Sequence, residues 1–114
     1  MYILLIKQTM FSNLKTTSEF IELKRKNRES ITLKESFSRE SLSIEFEPLF
    51  LLLESILQVK ITNVNLFILR NKIKWDKYGI SFICNDKIDI QVLENLLVEK
   101  DYELKNNIFT LYLD

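Results

Sequence analysis

The chain has 114 residues, 46% of them hydrophobic, and equal numbers of acidic and basic side chains, so its formal net charge at pH 7 is zero. It contains no histidine, and it has one glycine, one proline and one cysteine. These counts argue against histidine-based catalysis, zinc sites and glycine-rich phosphate loops, so we expect neither an enzyme nor a bound metal or cofactor.

The first 28 residues permit more than one interpretation. Apolar residues at near-helical spacing favour a helix over 2–14, although residues 2–7 alone also fit a strand. In residues 18–28, Thr16 with Glu19 forms a capping-box pattern for a helix, while an asparagine near the end of the segment suits a hairpin turn. The secondary structure of residues 1–28 therefore stays open between helix and strand.

The next segment predicts an antiparallel hairpin with one buried face. Apolar and polar residues alternate over 31–37 and again over 42–46, and the turn-like Ser38-Arg39-Glu40 separates them. The predicted buried set is Ile31, Leu33, Phe37, Leu42, Ile44 and Phe46.

A helix and a second hairpin follow. Pro48 suits the first turn of a helix that runs to about Lys60, because its missing N–H is not needed there. A long strand is predicted over 65–75, Gly79 is assigned to the turn of residues 75–79, and a returning strand is predicted over 79–84.

The remaining residues predict a helix and a final hairpin. Asp86 is a suitable N-cap for a helix over 87–100. Strands over 102–105 and 108–113 are joined by Asn106-Asn107, which tolerates the left-handed backbone of a tight turn. The whole chain, 1–114, is therefore predicted to be one α+β domain. It would be an antiparallel sheet built from hairpins, with two or three helices packed in a single layer on one sheet face.

Apolar runs and cysteine content indicate the compartment. The longest apolar runs, 2–6 and 49–53, are far shorter than the ~20 residues of a transmembrane helix, and no basic stretch marks a signal peptide. A single cysteine cannot form an internal disulfide, and Cys84 lies in an apolar run that predicts a buried, inert thiol. We expect a cytoplasmic protein with no membrane partner.

Charge is distributed in four alternating blocks. Residues 1–28 and 59–77 each carry a balance of +4, whereas residues 29–58 and 78–114 each carry −4. Either oppositely charged elements lie side by side in the fold, or one block forms a surface for a partner.

The helix that begins near Pro48 carries the first candidate surface. At 100° per residue its apolar residues cover a broad face, but Leu51 falls in the middle of the polar face. An apolar residue surrounded by acidic and polar ones is typical of a binding hot spot, although single exposed leucines are also common. The predicted partner-binding residues are Glu45, Glu47, Leu51, Glu54 and Gln58.

The strand predicted over 65–75 carries an alternative basic surface. Arg70, Lys72 and Lys74 alternate along it and Lys77 follows, a pattern that could contact phosphate. Strand parity places Trp75 on the opposite, packed side. The alternative without a binding role is an edge strand whose lysines prevent pairing with other sheets.

Elimination favours a protein that acts by binding. The first hypothesis is a stoichiometric inhibitor, an immunity protein or antitoxin, in which acidic residues around Leu51 meet a cognate toxin. The inferred order of elements is also similar to that of the type III secretion chaperones, which implies a homodimer that binds a secreted client through its last helix and apolar sheet edges. A nucleic-acid-binding module through the basic surface is the weakest of the three hypotheses.

Overall fold

A computed structural model describes residues 13–84 and 102–113 and confirms the α+β prediction. The described chain contains two helices, two short 3₁₀ turns and five strands. In chain order these are α1 (Ser18–Lys26), β1 (Thr32–Ser38), the 3₁₀ turns Arg39–Ser41 and Ile44–Phe46, α2 (Glu47–Leu57), β2 (Asn63–Leu69), β3 (Lys77–Ile83), β4 (Tyr102–Lys105) and β5 (Ile108–Tyr112). The predicted helix over 87–100 lies outside the described residues, as does the one over 2–14 apart from its last two residues.

The five strands form one antiparallel sheet in the order β1-β2-β3-β5-β4. The connections from β2 to β3, over residues 70–76, and from β4 to β5, over Asn106 and Asn107, are hairpins, and β5 lies between β3 and β4. The β4–β5 turn uses Asn106 and Asn107, both with positive φ of 53° and 63°, as predicted from the Asn-Asn pair.

The predicted hairpin over 31–46 is wrong, because only its first strand forms. β1 pairs instead with β2, and the backbone over 39–46 makes the two 3₁₀ turns. The carboxylate of Glu19 on α1 accepts hydrogen bonds from the Ser43 backbone N–H at 2.7 Å and from its hydroxyl at 2.6 Å. This side-chain anchor replaces strand pairing, and it leaves Phe46 buried but Ile44 exposed.

Both described helices pack on one face of the sheet. Side chains that alternate along the strands meet the apolar sides of α1 and α2, and this shared core contains Phe20, Leu23, Leu33, Leu49, Phe50, Leu53, Leu57, Val64, Leu66, Ile68, Ile80, Phe82, Phe109 and Leu111. On the opposite face, the Phe67 ring lies edge-on to Tyr112 with ring centroids 5.7 Å apart. Gly79, between them in the cross-strand row, leaves room for that ring.

The predicted strand over 65–75 is too long. β2 ends at Leu69, and residues 70–76 form the connection to β3. Trp75, predicted to pack, is 92% exposed because it lies in this loop rather than on a strand. Within the described ranges, no helix has the length and apolar composition needed to cross a bilayer.

Candidate functional site

The outer side of α2 and the 3₁₀ turn before it expose two aliphatic side chains, which together with Glu45 we call the α2 face. Leu51 is 58% exposed, as the helical periodicity predicts, and Ile44 in the preceding 3₁₀ turn is 79% exposed. Leu51 follows Ile44 by seven positions, about two helical turns, so the two side chains point within about 40° of each other. Glu45, also exposed, lies beside Ile44.

Arg39 anchors α2 through two acidic side chains of the helix. Its guanidinium donates to both carboxylate oxygens of Glu47, from Nε at 2.9 Å and from Nη2 at 3.1 Å, and Nη1 contacts Glu54 Oε1 at 2.8 Å. Nη1 also donates to the carbonyl of Ile61 at 3.2 Å, and the guanidinium lies 5.5 Å from the Phe50 ring centroid. One arginine therefore joins the first and last turns of α2 to the segment that enters β2.

The protonation of this network follows from its contacts. The hydrogen bond from Arg39 holds the pKa of Glu47 below its ordinary value, and the same bond raises the pKa of the guanidinium. Burial raises the pKa of Glu54, but the Ile61 N–H, at 2.9 Å from Oε2, and Arg39 outweigh it, so the net pKa is lowered. All three groups are charged at neutral pH.

The predicted partner-binding residues therefore divide into two sets. Glu47 and Glu54 are engaged by Arg39, and Gln58 ends α2 in a left-handed conformation, with its side-chain amide donating to the Ser55 carbonyl at 2.7 Å. Glu45 and Leu51 remain directed outward. Nothing in the sequence indicated that Glu47 and Glu54 form ion pairs with Arg39.

The loop of residues 70–76, which we call the β2–β3 loop, is built by two side chains at its base. Asn71 Oδ1 accepts from the backbone N–H groups of Ile73 at 2.9 Å and Lys74 at 3.1 Å, and Asp76 Oδ1 accepts from the Asn71 N–H at 3.0 Å. Side chains of this type replace backbone partners in turns. The loop thus has a specified conformation at its tip.

Asp76 also fastens the loop to α1. Its second carboxylate oxygen lies 3.3 Å from Lys24 Nζ, and Lys24 donates to the Tyr78 hydroxyl at the same distance. The Asn71 N–H lowers the pKa of Asp76, and the Tyr78 hydrogen bond raises the pKa of Lys24. Because both groups keep their charge, the contact between loop and helix persists over the neutral range.

The tip of the β2–β3 loop presents apolar and basic side chains in alternation. Ile73 and Trp75 are each 92% exposed, and Lys72 and Lys74 beside them are exposed too. Neither of these lysines forms an ion pair with another described residue. Such large apolar side chains fully in water mark an interaction surface when they lie together.

The predicted basic strand is therefore wrong in its geometry. Its lysines belong to the loop and to the start of β3, not to one strand face. Arg70 is turned away, because its guanidinium donates to the carbonyl of Lys24 in the last turn of α1 and to that of Arg28 just after the helix. Lys77 opens β3, with Nζ 5.6 Å from the Tyr112 ring centroid.

A cavity of about 440 Å³ between α1 and β1 is lined by several ionisable groups. Burial raises the pKa of Glu19 there, but the hydrogen bonds from Ser43 outweigh it, and Glu22 is paired with Arg25 at 2.7 Å. Glu35 lies 3.8 Å from Lys26. The carboxylates of this cavity are thus held by neighbours. Cys84 is buried, as predicted.

Four exposed residues escaped the sequence interpretation. Ile31 and Ile44, which are 72% and 79% exposed, were assigned to the buried face of a hairpin. Ile73 and Trp75 were assigned to a strand longer than β2, although Asn71 and Asp76 are the turn formers that mark a loop between them. The chain matches no family model, and neither the curated proteins nor the solved structures contain a match to it.

Proposed function

We propose that this protein is a stoichiometric inhibitor that binds another protein, of the immunity-protein or antitoxin class, and that the α2 face is its contact surface. The observation that carries the proposal is the exposed pair Ile44, in the 3₁₀ turn before α2, and Leu51 on α2, a helix that the Arg39 ion pairs and the core hold in place. A rigid surface loses little conformational entropy on binding, so more of the contact energy becomes affinity.

Charge indicates the chemistry of the partner. Glu45 is exposed beside Ile44, and the Arg39 network adds two carboxylates to one guanidinium, a balance of −1. A partner would therefore offer an apolar pocket for Leu51 and Ile44 with basic groups around it. Opposite charges of this kind mainly raise the association rate.

Coexpression with the product of each flanking reading frame tests the proposal. We expect one of these products to be toxic alone, to be tolerated with this protein, and to form a one-to-one complex by light scattering after size exclusion. If both flanking products are harmless and form no complex, the inhibitor proposal is wrong.

Substitutions then test the surface. Leu51→Asp and Ile44→Asp should each weaken the complex by about tenfold or more, as for interface residues that cost over about 1.4 kcal/mol. Ile83→Asp is the matched control, because Ile83 is 70% exposed at the end of β3 and lies outside the α2 face. Equal weakening by the control would place the contact elsewhere.

A further inference from the structure

The β2–β3 loop combines three properties that the proposed inhibitor function does not use. Its tip exposes an aliphatic and an indole side chain, it carries basic groups on both sides of them, and its backbone is fixed by Asn71 and Asp76. We propose that this loop is a peripheral docking element for an anionic membrane surface, with Trp75 and Ile73 entering the interface and lysines contacting lipid headgroups.

The pair of apolar side chains selects this partner over nucleic acid. An indole can stack on a base, but an aliphatic side chain has no face for stacking, and Ile73 is as exposed as Trp75. At a bilayer both have a place, because tryptophan concentrates at the interface and isoleucine partitions into the acyl region. Residues 71–75 are also all exposed, so they can meet a broad, deformable surface together.

The basic groups suit the same surface. Lys72 and Lys74 alternate with the apolar residues, and Lys77 follows at the start of β3. Lysine stems can lie along the apolar side chains while the ammonium groups reach headgroup phosphates and carboxylates. Each basic group near an anionic leaflet contributes roughly a fivefold gain in binding, so three of them matter at physiological salt.

The position of the loop leaves the α2 face free. The Arg39 network contacts Ile61 and Thr62, just before β2 begins, whereas the β2–β3 loop follows Leu69 at the other end. Seven strand residues separate these ends by roughly 20 Å. The chain could therefore rest on a membrane and hold a protein at the same time. This association needs no spanning helix, and the sequence-based expectation of no membrane partner considered only spans and signal segments.

The chain carries its own reporter for the test, because Trp75 is its single tryptophan. Emission spectra are recorded with vesicles of phosphatidylcholine alone, with vesicles of phosphatidylcholine and phosphatidylserine, and with a single-stranded oligonucleotide. We expect a blue shift with the anionic vesicles, weakened by salt, and a much smaller shift with phosphatidylcholine alone. Flotation of the vesicles measures binding independently.

Variants locate the contact. Trp75→Ser or Ile73→Ser should lower flotation with anionic vesicles by roughly tenfold or more, as loss of one buried apolar side chain implies, and Lys74→Gln by roughly fivefold. The controls are Ile83→Ser and Lys105→Gln, which lie together at the far end of the sheet, next to Ile108. Circular dichroism checks that each variant is folded.

Several results would overturn the proposal. These are no flotation with anionic vesicles at low salt, flotation without any change in Trp75 emission, equal binding to neutral vesicles, or equal losses in the two control variants. Quenching of Trp75 by the oligonucleotide, with no response to vesicles, would instead assign the loop to nucleic acid.

Discussion

The ring of Phe67 lies across the backbone of Gly79 on the face of the sheet opposite the helices. An ideal Cβ placed on Gly79 would be 2.2 Å from Phe67 Cζ and 2.9 Å from the carbonyl oxygen of Leu111. Both distances are shorter than van der Waals contact. The single glycine of the chain is therefore required by an aromatic ring, not by a turn, and its φ is not in the left-handed region.

Replacing Gly79 should destabilise the fold. We expect Gly79→Ala to lower the free energy of unfolding by about 1–3 kcal/mol, because the Phe67 ring and the Leu111 carbonyl must both move. In a Phe67→Ala background the same change should cost less than half as much, which a double-mutant cycle by urea unfolding measures. Ser81→Ala, two residues along the same strand face, is the control. Equal costs in the two backgrounds would contradict the contact.

Truncation to alanine should affect stability strongly at one leucine of α2 and hardly at all at another. Leu53 is fully buried in the core, so Leu53→Ala should cost about 2–5 kcal/mol of unfolding free energy. Leu51 is exposed, so Leu51→Ala should change stability by no more than about 0.5 kcal/mol. Thermal unfolding compares them. A large loss in Leu51→Ala would mean that this side chain packs against the protein itself.

Removing the guanidinium of Arg39 should destabilise α2. Arg39→Met removes the guanidinium from Glu47, from Glu54 and from the Ile61 carbonyl, and with it the cation that lies over the Phe50 ring. Arg39→Lys should rescue little of the loss, because an ammonium cannot bond to both carboxylates in the same geometry. Arg25→Met is the control, since Arg25 and its partner Glu22 form an ion pair on the exposed side of α1. Chemical denaturation should show a clearly larger loss for Arg39→Met than for the control.

Acid should weaken the same network. The pKa of Glu47 and the pKa of Glu54 are lower in the folded chain than their ordinary value of about 4.3. Their contribution to stability is complete above that value and is lost as pH falls through the lower, folded values. The melting temperature should therefore fall below about pH 4.5. The fall should be smaller in Arg39→Met, and an unchanged slope would show that other carboxylates dominate.

Asn71 should control the order of the β2–β3 loop. Asn71→Ala removes the acceptor for the backbone N–H groups of Ile73 and Lys74. We expect faster amide hydrogen exchange at these two residues, with a loss of global stability of only about 1 kcal/mol or less. Lys72→Ala, in the same loop but without such a bond, should leave both exchange rates unchanged.

Periodicity predicted the second half of the described fold well and the first half less well. The strands on both sides of Asn106-Asn107 and the helix that begins near Pro48 were predicted from local signals, a turn-forming pair and a proline in the first helical turn. The 42–46 segment alternates like a strand, but a distant carboxylate, Glu19, takes the Ser43 N–H, and local sequence does not contain that contact.

The candidate surfaces could be predicted only where local spacing sets the direction of a side chain. Leu51 could be placed on the outside of α2 because helical spacing alone decides its direction. Trp75 could not, because its direction depends on where β2 ends, and strand ends are set by loop hydrogen bonds such as those of Asn71 and Asp76. The partners of Glu47 and Glu54 depend on Arg39, which reaches them only in the folded chain.

The position of β5 between β3 and β4 has a consequence for synthesis. β3 obtains its second neighbour, and β4 its only described one, from residues 108–112. While the ribosome has delivered only residues up to β4, no described residue already synthesised pairs with the second edge of β3. The sheet must therefore close late, after Tyr112 has been added. A nascent chain of this protein would depend on rapid closure or on chaperones to keep that edge from pairing with another chain.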